Sequence, residues 1–356
     1  MDLALSADQS ELQRTARRFA AERLAPDAPA DRAWSDLGEL GWFAMGVPES
    51  RGGAGASAFD LAVVFEELGR VAASSLVFDT AVLAPAVLAV LDDTWASDAI
   101  GRIAAGAARI AVLVDDGIGL PSDRATSVEM LPSSRALSGT SALVGDAMSA
   151  THVLALARAG SDTVVALVDV GADGVQRTAQ HGFVPGHFGV DLSAAVPAAW
   201  STIAPEQLRR AVLGAVPILC AYQVGSCQTA YEMSVAYSRE RVQFGKPIGT
   251  YQRVQDHIID LVNGTDSARW VTNHAIWVTE TSDDPDMAVH VAKAVTAEAH
   301  VAACVSAHEV HAGIGADLQY GLARHTFASR SLYARLGDPA WHRRQIAGRL
   351  AAAMSA

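Results

Sequence analysis

Lysine is almost missing from this 356-residue chain, with Lys246 and Lys293 its only two. The remaining basic residues are arginines scattered without a run of three, and 27 basic against 39 acidic side chains leave a net charge of −12. Such a chain has no row of cations to neutralise phosphates, which excludes nucleic acid as a partner. Cysteine is equally scarce. Cys220 and Cys227 lie seven residues apart in a helical pattern, roughly 10 Å along the axis, too far for a disulfide. With Cys304 the number is odd and no Cys-x-x-Cys occurs, so all three read as small buried apolar residues in a reducing compartment. Long apolar runs are lacking too: Ala211 to Tyr222 is short and interrupted by Pro217, whereas a bilayer needs about 20 such residues. The opening Met1 to Ser6 is acidic and has neither the basic nor the apolar region of a secretion signal. A cytoplasmic protein without a membrane partner is expected.

Half of the residues are apolar, enough for a large core and far from a disordered composition. The length suits two or three domains or one large fold, and the periodicity changes twice. Up to about residue 107 the spacing is helical: Leu12, Ala16, Phe19, Ala20 and Leu24 recur at three and four residues, behind a Ser6–Gln9 capping box. A second helix is expected from Ser57 to Val71 and a third near residue 85. From 108 to 202 short β-prone runs alternate with Gly, Asp and Ser turns: 110–114, 142–144, 152–157 and 163–169. That spacing predicts a small antiparallel barrel or sandwich. From 203 to 356 long bundle helices are expected over 211–241, 251–277, 285–312 and 321–333. The fold class is therefore α+β, with an N-terminal helical domain (1–107), a middle β domain (108–202) and a C-terminal helical bundle (203–356).

Three segments carry a family resemblance. Arg241-Val242-Gln243-Phe244-Gly245-Lys246-Pro247-Ile248-Gly249, followed by Tyr251, Gln252 and Gln255, resembles the C-terminal signature of the acyl-CoA dehydrogenases. Glu309-Val310-His311-Ala312-Gly313-Ile314-Gly315 is similar to that family's Gln-x-x-Gly-Gly-x-Gly loop. Leu40-Gly41-Trp42 with Val47-Pro48-Glu49 and Gly52-Gly53 resembles its N-terminal domain. The resemblance implies an α–β–α fold and oxidation of an acyl-CoA thioester to the 2-enoyl-CoA, with FAD as hydride acceptor and a carboxylate as base. It places Arg241, Gln243, Phe244, Ile248, Tyr251 and Gln252, with Glu309, His311 and Gly313, on the diphosphate and adenine side of an FAD shared with a neighbouring subunit. No metal is expected: His308 and His311 have a suitable spacing but no third ligand nearby.

The departures from the family pattern are selective. Where a hydroxyl of the middle domain would meet the flavin ring stands Val112-Leu113-Val114-Asp115-Asp116, and Leu143 and Gly145 replace the expected aromatic and threonine. Leu336 precedes Gly337 at the place of the catalytic Glu, and Ala215 occupies the alternative base position on an earlier helix. Neither can take a proton. Glu232, Glu240, Asp260 and Glu298 read as solvated or ion-paired helix residues. Loss of base and ring contacts beside a kept diphosphate motif implies a non-catalytic subunit of a heteromeric, α2β2 acyl-CoA dehydrogenase. Such heterotetramers occur in actinobacterial steroid degradation, and nothing in the sequence favours a steroid over a fatty thioester. The expected partners are a homologous subunit that carries the Glu and binds most of the acyl-CoA, and an electron-transfer acceptor. The alternatives are a self-sufficient dehydrogenase with a relocated carboxylate and a non-redox scaffold on the same fold.

Overall fold

Two capping boxes start the N-terminal helices. The Ser6 hydroxyl accepts the Gln9 N–H and Gln9 returns the contact, both at 3.1 Å, opening α1 (Ala7–Arg23). Ser57 and Asp60 repeat the arrangement at the head of α3 (Ala58–Arg70), beyond α2 (Ala30–Glu39). Each box satisfies amides that the first helical turn leaves without a partner. The computed structural model describes residues 4–24, 30–121 and 126–355; Met1 to Leu3 of the N-terminal reading fall outside them. The helix expected near residue 85 is three pieces: α4 (Ser75–Phe78), a π-helical turn (Asp79–Leu83) and α5 (Ala84–Leu88). Then α6 (Thr94–Ala104) leads into the sheet.

The middle region is one eight-stranded sheet: β1 (Ile110–Val114), β2 (Thr126–Met130), β3 (Leu137–Gly145), β4 (His152–Ala159), β5 (Asp162–Asp169), β6 (Val175–Ala179), β7 (His187–Ala195) and β8 (Ala199–Ile203). The order is β6-β7-β3-β2-β4-β5-β8, with β1 against β4. The sheet is mixed rather than wholly antiparallel. β1 and β4 run parallel from Ile110↔His152 to Val114↔Leu156, because the antiparallel pair β2–β3 returns the chain to the end from which β1 left. β1 is buried along its whole length, and its apolar side chains join one continuous core running from Ala16 of α1 to Leu336.

Five long helices complete the chain: α7 (Pro205–Glu240), α8 (Gln252–Thr281), α9 (Asp286–His311), α10 (Leu322–Ala334) and α11 (Pro339–Ser355). α7 runs through Pro217 unbroken, as the helix expected over 211–241 requires, and starts earlier, at Pro205. By length and composition α7 and the helical segment 286–316 are apolar enough to cross a membrane, but 83% and 56% of their most apolar windows are buried within the protein. Packing uses that apolar surface. α3 and α7 cross so closely that a Cβ at Gly225 would stand 1.8 Å from the Glu66 carbonyl oxygen, and one at Gly69 would stand 1.9 Å from that of Tyr222. Only glycine lets two backbones meet at this distance, and Tyr222 closes the seam by donating its hydroxyl to the Ala73 carbonyl at 2.6 Å. Cys220, Cys227 and Cys304 are buried and free, as expected.

Candidate functional site

The chain leaves α7 through a small hairpin, β9 (Val242–Gln243) against β10 (Lys246–Pro247). Phe244 (φ 50°) and Gly245 (φ 81°) make its tip, and the Ile248 N–H closes its base on the Arg241 carbonyl at 2.8 Å. Tyr251 braces it, donating its hydroxyl to the Gln243 carbonyl at 3.0 Å, with the Lys246 ammonium 4.4 Å from the centre of its ring. The sequence-predicted residues Arg241, Gln243, Phe244 and Gln252 are all exposed, Phe244 by 92%. Tyr251 and Ile248 are half-buried beneath them. An aromatic ring and a guanidinium held outward on a braced hairpin are not serving this chain's own core.

The glycine-loop residues meet this hairpin through Tyr237, which the sequence reading did not single out. Its carbonyl accepts the Arg241 N–H at 2.9 Å, and its ring stacks on His311 with centroids 4.7 Å apart. His311 is buried; its Nδ1–H donates to the Ala307 carbonyl at 2.8 Å, while Nε2 has no partner. Ala312, where the family has glycine, keeps a glycine-like backbone at φ 52°, ψ −136°, a conformation strained for any residue with a Cβ. Glu309 and Gly313 are exposed on the same turn, with open space beside Gly313. His308 turns instead to the Thr326 hydroxyl at 2.7 Å, so the two histidines do not converge on one point.

A cleft of about 350 Å³ lies between the sheet and α10, and Val112, Leu143 and Gly145 all line it. The three positions where the sequence departs from a flavin-ring seat are thus brought together. Its floor is closed by residues not anticipated from sequence. Arg335 donates to Asp79 Oδ1 at 2.5 Å and to the Val112 carbonyl at 3.3 Å, and Asp79 Oδ2 accepts the Val112 N–H at 3.0 Å. Both polar groups of Val112 are therefore engaged by this ion pair. Its two members are 256 residues apart in the chain, so no local pattern reveals them.

The segment after α10 carries the expected base position. Leu336 is fully buried at φ 53°, and its carbonyl accepts from His342 Nε2 at 3.0 Å. His342 Nδ1 in turn accepts from His290 Nδ1–H at 2.9 Å, an arrangement that requires the His342 ring neutral. Burial supplies that condition, pushing His342 down to about 3 and His290 to about 4. Lys293 is buried beside them and donates to the Leu332 and Tyr333 carbonyls at 2.9 and 3.2 Å, where the last turn of α10 leaves acceptors free. Ala215 is buried in α7. Of the other carboxylates considered, Glu232 pairs with Arg70 and Glu298 with Arg343; Glu240 and Asp260 are exposed. None of the four lines the cleft.

Residues 6–107 match the family description "Acyl-CoA dehydrogenase, N-terminal domain", and residues 216–351 match "Acyl-CoA dehydrogenase, C-terminal domain". Acyl-CoA dehydrogenase IpdE2 of Mycolicibacterium smegmatis is 29% identical over 148 residues, which is 42% of this chain and 45% of that protein. The chain thus aligns with less than half the length of the first curated relatives it matches. Two solved structures share its fold over nearly their whole length. The Tcur3481–Tcur3483 steroid ACAD superposes with a TM-score of 0.82 at 24% identity, covering 98% of this chain and 99% of that one. The ChsE4–ChsE5 complex from Mycobacterium tuberculosis gives 0.81 at 24% identity, with 99% of both chains covered.

Proposed function

This chain belongs to the acyl-CoA dehydrogenase family, and we propose that within it the chain is a subunit without a catalytic base, completing the FAD site of a homologous partner. The carrying observation is the buried leucine at the base position. Leu336 offers no acid–base group, and its backbone is fixed by His342. Asp79, the carboxylate lining the larger cleft, is held by Arg335 and the Val112 N–H, so its lone pairs are directed into the protein rather than toward an α-proton. This weighs against a self-sufficient enzyme with a relocated base.

FAD supplies hydride acceptance in this family's reaction, and the two halves of this chain's site differ in how they suit it. On the diphosphate side the residues fit except Glu309, an exposed carboxylate in the place of the family's Gln that opposes a phosphate. The Arg241 guanidinium has no ion-pair partner among the described residues, the His311 Nε2 is buried without one, and the Gly313 backbone is open to approach. Arg241 would hold phosphate by charge-assisted hydrogen bonds, Phe244 and Ile248 would cover the adenine, and Gln243, Tyr251 and Gln252 would border it. On the ring side they do not fit, because Val112 is engaged by Asp79 and Arg335 and Leu143 and Gly145 contribute neither wall nor donor. Such a chain binds and orients one end of a cofactor whose reactive end lies on another subunit.

The arrangement calls for a heterotetramer of two copies of this chain and two of a homologue carrying the Glu and the ring seat, with two FAD rather than four. The paired names of the two solved structures support such an assembly, and make a steroid side-chain thioester the first substrate to try. Co-expression with the homologue, followed by mass measurement and flavin counting, tests the reading. Four FAD per tetramer, or acyl-CoA turnover by this chain alone with stoichiometric FAD, would overturn it.

A further inference from the structure

The cleft of about 350 Å³ continues into a second of about 180 Å³; Ser75, Gly145, Val184, His187, Ser331 and Leu332 line both. Donors without acceptors gather along this double cleft. Arg324, lining the smaller part, keeps a buried Nε–H with no partner. Arg330, lining the larger part, has no ion pair or hydrogen bond among the described residues. His187 lies between them: its Nε2 is 2.9 Å from the Ser331 hydroxyl, and its Nδ1 is buried without a partner.

Of the two carboxylates on the lining, Asp79 holds Arg335 and Val112, while Asp146 accepts the Ser74 hydroxyl and pairs with no cation among the described residues. In a chain of net charge −12, two guanidiniums without an ion pair, Arg324 and Arg330, stand along one double cleft against a single carboxylate without one, Asp146. The Arg324 Nε–H is buried and a buried donor left unmade is costly, whereas Arg330 is exposed; an anion is the species that pairs with guanidiniums by charge-assisted hydrogen bonds. Val112, Leu143, Val144 and Leu332 add apolar surface to the lining, beside the polar Ser75, Gln180 and His181, and Phe183 packs edge-on to Phe327 at 5.5 Å.

We propose that the double cleft binds a small organic anion, a carboxylate with an apolar body, its head toward Arg324, Arg330 and His187 and its tail against Val112 and Leu143. The ligand is bound unchanged, because nothing at its tail can accept a hydride or a proton. This assignment is independent of the FAD half-site, which follows the C-terminal end of α7, whereas the smaller cleft meets α7 at Tyr222 near its middle.

Calorimetry of the full chain with octanoate tests it, with 1-octanol and octanoyl-CoA as controls. Saturable binding of one octanoate per chain is expected, with octanol at least tenfold weaker. Arg330 is exposed, so Arg330→Glu should leave the fold intact; it should weaken octanoate at least tenfold, and Arg324→Met should do likewise. Equal binding of octanol would show an apolar pocket only and overturn the proposal. Octanoate affinity unchanged by Arg330→Glu, no octanoate binding, or binding of octanoyl-CoA alone would overturn it too. None of these outcomes touches the flavin count on which the subunit reading rests, so the two can fail separately.

Discussion

Replacing Asp79 with alanine removes the acceptor for Arg335 at 2.5 Å and for the Val112 N–H at 3.0 Å. Side-chain exposure is only 8% for Asp79 and 11% for Arg335, so water cannot take over the lost contacts. At an effective dielectric of about 20, opposite charges roughly 4 Å apart attract by about 4 kcal/mol. Removing one partner of a buried pair costs about 3–5 kcal/mol, since the survivor is left charged and out of water. The Val112 carbonyl still accepts from Arg335 at 3.3 Å, which places the expected loss for Asp79→Ala near the lower figure, about 3 kcal/mol. Asp79→Leu combined with Arg335→Met should cost less than either single change, because no charge is then stranded. Urea unfolding of the parent and these four variants reads this directly as midpoint shifts at constant slope. A loss below about 1 kcal/mol for Asp79→Ala, or a double variant as costly as the two singles together, would refute the view that this pair locks the cleft floor.

Three further outcomes are expected. Arg241→Ala should lower FAD retention in the assembled complex by about one to two decades, the worth of a charge-assisted contact of roughly 1.5–3 kcal/mol; flavin lost on dilution measures it. Ala312→Gly should stabilise the chain by about 1 kcal/mol, because φ 52°, ψ −136° strains a residue with a Cβ and not glycine; a raised urea midpoint is the readout. His300 is pushed down to about 3, His325 to about 4, and His290 and His342 to about 4 and 3, all first by burial. The unfolded chain protonates these rings near 6.5 while the folded chain does not, so their stabilisation is whole above that pH and is lost as pH falls from 6.5 toward 4. Each contributes a slope of about 1.4 kcal/mol per pH unit. His300→Gln should flatten the measured dependence, and a flat profile in the parent protein would contradict the buried neutral rings.

Much of the helical architecture could be read along the chain because its causes are local. Ser6 with Gln9 announces α1 by a contact spanning three residues, and Ser57 with Asp60 does the same for α3. The apolar runs of β1, β4 and β5 were legible for a related reason: buried strands need unbroken hydrophobicity. β6 and β7 carry alternating or exposed residues such as Gln176, Thr178 and His187, whose pairing only their neighbours decide. The parallel register of β1 with β4 likewise depends on where β2 and β3 turn, which no window of sequence contains.

The same division holds at the site. The hairpin of Arg241 to Gln252 follows from a contiguous motif, since a backbone turn and its side chains come from one short segment, and the expectation that Leu336 takes the place of the base rests on a contiguous motif too. Only tertiary structure could set Asp79 against Arg335 across 256 residues, or stack Tyr237 on His311. It also brought Arg324, Arg330 and His187 along one double cleft, with Arg324 Nε and His187 Nδ1 buried and without a partner. The physical reason is that charge pairing, desolvation and close backbone approach are properties of neighbours in space. Asp79 within an apolar run and Arg335 beside a leucine carry no mark of each other until the sheet and α10 are packed together.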